Sequence, residues 1–343
     1  MKKLWIYTLS GLVLGGFWAL PGQAQRNQKL AQTGFQFLSV VSDARAAAMG
    51  NAVNSLSLAS SSLFFNPAGL SDMTGFIDIT ASDNRWIADI HHNTVSLALR
   101  PWHGRYGVLG FTAQSVDYGD NIFGTIIVPE SQNPKGYIDT EDISPSALAL
   151  GLGYAIALSD RFSVGGQVRW VHQEFGDMVV PLKMDTTTNE VQSTKVRYES
   201  NPLAFDFGTL FKTGFKGLTF GMSVRNFSRE VKYIRENFEL PLVFTIGIHT
   251  DLMDWVQVGG PQQSMILSLD AKHDRSHAEQ ICLGVDYRLM RVLSCRIGYI
   301  SSNDEDAMNY GLGVSLAGIT VDYAYAPFGV FNNVQRLTVR FSY

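Results

Sequence analysis

The chain of 343 residues lacks the features that mark several common protein classes. Only 17% of its residues are charged, below the roughly 25% of an ordinary soluble protein. Its net charge of -4 provides no basic excess for binding nucleic acid. Two cysteines are too few for a disulfide framework. Beyond the first residues, no segment approaches the ~18 continuous apolar residues of a transmembrane helix.

Aromatic residues and glycine are abundant instead. Aromatic side chains make up 12% of the chain, with 21 Phe and 13 Tyr, and there are 32 Gly. Few charges combined with many aromatic residues suit strands that face lipid on one side. The same composition also fits a large β-sandwich, so the order of the residues has to decide between the two folds.

The beginning of the chain has the layout of a secretory signal peptide, which we assign to residues 1–24. Lys2 and Lys3 provide a positive start, and an apolar stretch follows over residues 4–20. Gly22 and Ala24 supply small side chains at the two positions that a signal peptidase recognises. We expect cleavage after Ala24 and export of the remaining chain, and a retained membrane anchor is the alternative.

Period-two alternation runs through residues 76–343 and is clearest in the last strand. Leu337, Val339 and Phe341 fall on one face, whereas Arg336 and Arg340 fall on the other. A buried soluble strand would not turn two arginines inward without partners. A transmembrane barrel strand, with lipid outside and a wet lumen inside, explains both faces.

The lengths of the connections also alternate, because short turns separate long polar loops, as in an outer-membrane barrel. We expect about fourteen antiparallel strands. Their expected positions are residues 76–83, 93–100, 105–117, 146–158, 161–174, 196–211, 217–226, 241–249, 264–271, 280–288, 292–300, 308–316, 319–326 and 334–343. The connection over residues 250–263 is long where a short one is due. Cys282 and Cys295 face opposite ways in this register, so we expect no disulfide between them.

We assign residues 25–75 to an N-terminal segment before the barrel; within it, residues 35–75 do not alternate and are too apolar to form a free tail. Asp43 is placed to cap a helical turn over residues 44–49, and Gly50 to end it. Asn66 and Pro67 signal a turn, and Gly69 permits a sharp bend. The nearest cavity after export is the barrel lumen, so this segment is predicted to be a plug.

Two motifs in this segment carry a family resemblance. Asp43-Ala-Arg-Ala-Ala-Ala-Met-Gly50, followed by Phe65-Asn-Pro-Ala-Gly-Leu70, resembles the N-terminal region of the PorV/PorQ family, which belongs to the wider group of FadL-like barrels. The resemblance implies fourteen strands and an N-terminal hatch whose Asn-Pro-Ala element lies in the lumen. The residues expected to shape and hold this hatch are Asp43, Arg45, Gly50, Asn66, Pro67, Ala68 and Gly69.

Arg45 would enter the barrel as a charged group, so we expect an acidic or carbonyl partner on the inner wall. By parity, the candidates that face the lumen are Asp206, Asp286 and Asp322. An Arg45 side chain free in solvent would contradict this prediction.

The resemblance implies two functions. Its PorV/PorQ side implies type IX secretion or cell-surface attachment, with cargo or secretion subunits bound by loops 118–144, 176–195 and 227–240. Its FadL side implies passive uptake of hydrophobic compounds such as long-chain fatty acids. Phe64 and Phe65 would then contact the ligand, or they only anchor the hatch. We expect the protein to lie in outer-membrane lipid and to serve type IX secretion or cell-surface attachment. Passive uptake of hydrophobic compounds is the alternative.

An outer-membrane enzyme is the third possibility, and its candidate residues lie in predicted loops. One metal-like group joins His91 and His92 to Asp83 and Asp89, and another lies within residues 270–277. Residues 304–306 are an acidic run that could suggest calcium. All three groups are more often solvated loop residues, and no hydrolase or phosphate-binding motif occurs. We therefore expect no catalytic residue, metal, organic cofactor or nucleic-acid partner, and the plug argues against a simple diffusion porin.

Overall fold

The computed structural model describes residues 33–343 except residue 121 and the stretches 186–189, 234–235, 257–262, 302–306 and 330–332. The expected signal peptide (1–24) and the acidic run 304–306 therefore lie outside the described residues. None of the helices described is long and apolar enough to cross a membrane.

Nineteen strands, numbered in chain order, account for most of the described chain. They are β1 (Ile77–Arg85), β2 (His91–Leu99), β3 (Val108–Asp117), β4 (Ile122–Ile127), β5 (Tyr137–Ile143), β6 (Ser146–Ala157), β7 (Phe162–Asp185), β8 (Glu190–Ser200), β9 (Leu203–Lys212), β10 (Thr219–Phe227), β11 (Val231–Tyr233), β12 (Glu236–Phe238), β13 (Val243–Asp251), β14 (Gln263–Asp274), β15 (Gln280–Leu289), β16 (Leu293–Ile300), β17 (Met308–Leu316), β18 (Ile319–Ala326) and β19 (Val334–Ser342).

Fourteen of these strands form a closed antiparallel barrel. The order around the barrel is β6-β3-β2-β1-β19-β18-β17-β16-β15-β14-β13-β10-β9-β7, and β7 pairs back to β6. The first and last strands complete the ring, with Ile79 opposite Phe341. Closure leaves no open edge at membrane depth, as a spanning sheet requires. The predicted all-β fold with about fourteen strands is thus confirmed.

The expected strand over residues 196–211 was wrong in one respect. It is two strands, because β8 ends at Ser200 and β9 begins at Leu203. Pro202 between them has no N–H to donate, which favours a break in the ladder. β9 belongs to the barrel, whereas β8 pairs only with the outer part of β7.

The strands sort their side chains by face as the alternation predicts. In β16, Cys295, Ile297 and Tyr299 are exposed on the outside, while Ser294 and Arg296 are buried in the lumen. Outside the lumen the large exposed side chains are mostly apolar, which suits contact with acyl chains. Cys282 is buried and Cys295 exposed, and no disulfide joins the two, in agreement with the predicted register.

Three of the long connections contain hairpins among the described residues. β4 pairs with β5, β11 pairs with β12, and β7 continues past the end of β6 to pair with β8. These hairpins rise at the end of the barrel with the long connections, which is the extracellular end. The connection after β13, at the opposite periplasmic end, contains a short helix, Met253–Val256.

The hatch, described from residue 33 to residue 75, fills the lumen from end to end. Its helical pieces are Gln36–Ser39, α1 (Ala44–Ala48), Ala59–Phe64 and Pro67–Asp72, of which only α1 is α-helical. Phe35 packs with Val116 and Leu240 near the extracellular end. Met73 packs with Ala98 and Val108 near the periplasmic end.

Candidate functional site: the hatch and its seat

The motif Asp43–Gly50 folds as a capped turn against the wall. The Asp43 carboxylate accepts a hydrogen bond from the Ala46 N–H at 2.9 Å, and thus caps α1. The Ala44 N–H donates to the Thr338 hydroxyl at 2.8 Å. Gly50 ends the helix with a φ of +60°, a conformation that glycine adopts without steric cost. Any side chain at residue 50 would collide with the backbone of Tyr299, 2.7 Å away from its Cβ.

Arg45 is buried and has the acidic partner that was predicted. Its guanidinium lies 3.0 Å from the Asp286 carboxylate. Asp286 is also 3.1 Å from Arg296, which lies 2.6 Å from Asp322. Burial lowers the pKa of Arg45 to about 10, against the opposing effect of Asp286, so Arg45 remains charged at neutral pH. The four side chains form one network of alternating charge, which links α1 to three wall strands, β15, β16 and β18.

The Asn66-Pro67-Ala68-Gly69 turn is held by the side chain of Asn66. Its carbonyl oxygen accepts from the Ala68 N–H at 3.1 Å. Its amide donates to the Asn54 carbonyl at 2.8 Å and to the Thr209 carbonyl of β9 at 3.1 Å. Asn66 therefore caps the short helix at Pro67 and also links two hatch segments to the wall. Gly69 is tight against Ser62 and Leu56, which lie 2.8 and 3.1 Å from its notional Cβ.

Three further polar contacts to the wall were not predicted. Asp270 accepts from the Asn54 N–H at 2.8 Å. Asp78 accepts from the Ser60 N–H at 3.0 Å. Deeper toward the extracellular end, Gln114 donates to the Phe37 carbonyl at 2.8 Å. Each joins residues from distant parts of the sequence, so only the alternation that turns Asp78, Gln114 and Asp270 inward could have suggested them.

Wall glycines make the room for the hatch, and we call them the glycine seat. A Cβ added at any of them would lie less than 3.0 Å from a hatch atom. The members, with the hatch residue that each meets, are Gly110 and Gly153 (Leu63), Gly165 (Pro67), Gly208 (Asn66), Gly221 (Asn54), Gly284 (Met49), Gly298 (Gly50) and Gly311 (Ala48). The seat extends around the barrel, so the hatch backbone approaches the wall along most of its course.

Phe64 and Phe65 border small spaces between the hatch and the wall. One cavity of about 20 Å³ is lined by both rings together with Val41, Arg169 and Arg225, and a second of similar size shares Phe65 and Arg225. Each cavity has room for about one water molecule. Arg225 donates to the Phe64 carbonyl and lies 5.9 Å above the Phe65 ring. Hydrophobic compounds therefore need the hatch to move before they can occupy this region.

A larger cleft lies outside the barrel, between the β4–β5 and β7–β8 hairpins. Its volume is about 350 Å³. Apolar side chains dominate one side, and the lining includes Ile126, Val128, Ile138, Val179 and Val191. Gln132 bridges the two hairpins by accepting from the Val191 N–H at 2.9 Å.

The loop groups considered as metal sites form ordinary pairs. His91 lies 3.2 Å from Asp83, and His273 lies 3.3 Å from Glu279. Asp274 accepts a hydrogen bond from Ser276 at 2.6 Å. Among the described residues, no three His, Cys, Asp or Glu side chains converge to hold a metal ion.

The closed barrel, the lipid-compatible outer face and the plugged lumen define a class, the plugged β-barrels of the outer membrane. The protein lies in the cell outer membrane. Solved structures with this fold include the CymD monoaromatic hydrocarbon channel, with a TM-score of 0.59 and 13% identity over 88% of this chain and 97% of that one. The Ralstonia pickettii toluene transporter TbuX matches with a TM-score of 0.55 and 11% identity, and a Pseudomonas aeruginosa FadL homologue with 0.54 and 11%. Both cover 88% of this chain and 98% of their own.

At these identities the likeness shows the fold alone. No protein-family profile matches the sequence. No curated protein matches it either. The neighbours are FadL-type outer-membrane channels and not enzymes, and the comparisons give no support to the PorV/PorQ family in particular.

Proposed function

We propose that this protein is a gated outer-membrane channel for small hydrophobic compounds. In this proposal residues 1–24 direct export, residues 25–75 form a movable hatch and residues 76–343 form the barrel. The observation that carries it is a fourteen-stranded FadL-type barrel whose lumen is filled by a separate, polar-anchored segment. Two of the structural neighbours are a monoaromatic hydrocarbon channel and a toluene transporter, which supports the same class of compound.

The proposed route begins at the external cleft and continues past the aromatic pair of the hatch. The cleft between the hairpins has five aliphatic side chains in its lining, together with polar ones such as Asp139 and Lys195, and has the volume of a small organic molecule. Phe64 and Phe65 line the narrower spaces below, where Arg225 is the polar group that borders both. When the hatch shifts, these spaces join, and a compound contacts the two rings before it leaves the barrel.

Locking the hatch to the wall tests the proposal. Ser60 of the hatch and Ser96 of β2 have hydroxyl oxygens 2.9 Å apart. In a background with Cys282→Ser and Cys295→Ser, the pair Ser60→Cys and Ser96→Cys is expected to form a disulfide that stops uptake of radiolabelled toluene or palmitate by producing cells. A reductant should restore the uptake.

A matched staple within the wall provides the control. Ser315 of β17 and Thr320 of β18 have hydroxyl oxygens 3.0 Å apart, and neither residue is in the hatch. Cysteines at these two positions should leave uptake unchanged whether oxidised or reduced. Equal uptake by the oxidised hatch lock and by the wall staple would overturn the proposed gating.

Protein docking at the cell surface is a second candidate, and the filled lumen favours it. A barrel whose internal cavities hold about one water each has no standing passage, whereas its β7–β8 hairpin extends well beyond β6. Type IX secretion subunits or cargo would bind such hairpins in this proposal. Affinity purification of the detergent-solubilised protein from its native membrane tests it. Recovery of secretion proteins that depends on residues 177–197 would support docking, and recovery of hydrophobic compounds alone would favour the channel.

A further inference from the structure

The periplasmic rim carries aromatic and basic side chains on four neighbouring turns, which we call the rim arc. The turns are residues 100–107, 158–161, 213–218 and 252–256, which follow β2, β6, β9 and β13. The side chains that define the arc are Trp102, Arg105, Tyr106, Arg161, Phe215, Lys216 and Trp255. Trp102 and Tyr106 are 70% and 60% exposed, and Phe215 and Trp255 are 56% and 44% exposed. These large side chains are therefore available to a lipid interface.

Within the arc, cations stack on rings in two places. The Arg105 guanidinium lies 5.5 Å above the Tyr106 ring, and the Lys216 ammonium lies 5.0 Å above the Trp255 ring. Each ring also has an edge-to-face aromatic neighbour, at 5.8 Å for Trp102 and Tyr106. The stacking holds each positive charge beside an apolar ring. This arrangement suits a lipid, whose phosphate contacts the cation while the acyl chain below it contacts apolar surface.

Contacts between the turns make the arc continuous. The Tyr154 hydroxyl of β6 donates to the Tyr106 carbonyl at 2.7 Å. Arg161 lies against the next turn, with a guanidinium nitrogen 3.2 Å from the position of a Cβ on Gly214. Thr250 donates to the Lys216 carbonyl at 2.8 Å and accepts from the Trp255 indole at 2.8 Å. The cations are thus spaced along one side of the rim.

The charge of this rim is opposite to that of the loop at the other end of β3. The four turns carry four basic side chains (Arg100, Arg105, Arg161 and Lys216) against two acidic ones (Asp160 and Asp254). The loop of residues 118–144 carries five acidic side chains against one basic one. Among the described residues, no carboxylate lies within 4.0 Å of the Arg105, Arg161 or Lys216 side chain. These charges are available to an external anion.

Three residues of the rim turns adopt a left-handed backbone. Trp102, His103 and Lys216 have φ values of 48°, 54° and 47°. Such turn positions favour Gly, Asn or Asp, and other residues are sterically disfavoured there. Ala88 and Ala317 adopt the same conformation in other turns, so it bears on the stability of variants at residue 216 and not on the ligand.

We infer that the rim arc binds anionic glycerophospholipids of the inner leaflet of the outer membrane. Their phosphates lie beside Arg105, Arg161 and Lys216, one after another along the arc, and the rings of Trp102 and Trp255 lie at the level of the glycerol. The acyl chains run along the exposed outer face of β3 and β6, over Leu109, Leu152 and Tyr154, which are 53%, 70% and 43% exposed. The site does not depend on the channel or docking function proposed above.

The test compares lipids bound to the full-length barrel. The purified protein is placed in nanodiscs of equimolar phosphatidylglycerol and phosphatidylethanolamine, and released lipid complexes are measured by native mass spectrometry. Each phosphate has one cation beside it, so bound phosphatidylglycerol should exceed bound phosphatidylethanolamine about fivefold. The triple variant Arg105→Gln, Arg161→Gln, Lys216→Asn should bind both lipids equally.

Two further variants exclude a general loss of folding or charge. Lys216→Asn alone should keep or raise the unfolding temperature in zwitterionic detergent, because Asn tolerates the left-handed conformation, yet it should reduce the phosphatidylglycerol preference. Arg85→Gln, Lys135→Gln, Arg229→Gln removes three exposed cations at the extracellular end and should leave the preference unchanged. A triple rim variant that keeps the wild-type preference, or an extracellular variant that loses it equally, would overturn the inference.

Discussion

At the scale of single residues, the Arg45–Asp286 pair is the main charged contact between α1 and the barrel wall. Both side chains are buried, and Asp286 also binds Arg296. In such a network, removal of one partner leaves another buried charge without compensation, which typically costs about 3–5 kcal/mol. Removal of one partner would therefore destabilise the hatch strongly, although the net contribution of the intact pair to stability is smaller.

Replacing Arg45 should loosen the hatch while the barrel stays folded. We expect Arg45→Met to increase cleavage of residues 33–75 by added protease, because Asp286 loses one of its two closest cations. Migration of the unheated barrel in SDS gels should not change. Arg85→Met, which removes an exposed ion pair with Asp83 at 3.7 Å, serves as the control. Equal protease resistance of both variants would contradict the assigned role of Arg45.

Two adjacent glycines provide a matched test of the glycine seat. A Cβ at Gly165 would lie 2.5 Å from the Pro67 backbone, whereas a Cβ at Gly166 would meet nothing closer than 3.5 Å. We expect Gly165→Ala to displace the Asn66-Pro67-Ala68 turn and to lower the unfolding temperature, with Gly166→Ala close to wild type. Thermal unfolding and hatch proteolysis measure both effects. A destabilised Gly166→Ala with an intact Gly165→Ala would refute the seat.

At the scale of elements, the period-two pattern predicted the strands well because a barrel strand has two chemically different faces. All fourteen barrel strands overlap the expected positions, and α1 forms where Asp43 and Gly50 predicted a helical turn. The hairpins β4–β5 and β7–β8 were not predicted. They lie above the membrane, where neither face contacts lipid, so the alternation that marks a spanning strand is weak there.

The hatch contacts show a different limit of the sequence. Parity was enough to include Asp286 among three candidate partners for Arg45. It also turned Asp206 and Asp322 inward, but these two bind Arg169 and Arg296 instead. The choice among the three follows from the closed geometry, because α1 packs on β18, which carries Asp322, yet the Arg45 side chain reaches across to Asp286 on β15. The glycines of β16 and β17 that face the lumen indicate that another segment approaches the wall closely there, which the alternation alone does not explain.

Deletion of the β7–β8 hairpin should reduce capture of hydrophobic compounds without changing the stability of the barrel. β7 pairs with β6 up to Glu174 and with β9 up to Trp170, so residues 177–197 add nothing to the ring itself. We expect deletion of residues 177–197 to leave heat-modifiable migration unchanged and to reduce uptake at low concentrations of a hydrophobic compound. Deletion of the β11–β12 hairpin is the comparison. A barrel that fails to fold without residues 177–197 would contradict the pairing described here.

At the scale of the whole molecule, the hatch closes the lumen of a wide barrel. Fourteen strands enclose more space than their own side chains fill, and the hatch occupies it with small residues and paired charges. We expect the wild-type protein to give no steady ion current in planar bilayers. A variant that lacks residues 33–74 should conduct, whereas deletion of residues 177–197 should not. Steady current through the wild-type protein would contradict a sealed lumen.

The hydrogen bond between the Ala44 N–H and Thr338 spans 294 positions of the chain. The hatch site therefore includes β19, the strand whose pairing with β1 closes the ring. Closure of the ring and completion of the hatch site thus depend on the same strand, so we expect variants that weaken the β1–β19 pairing to loosen the hatch as well.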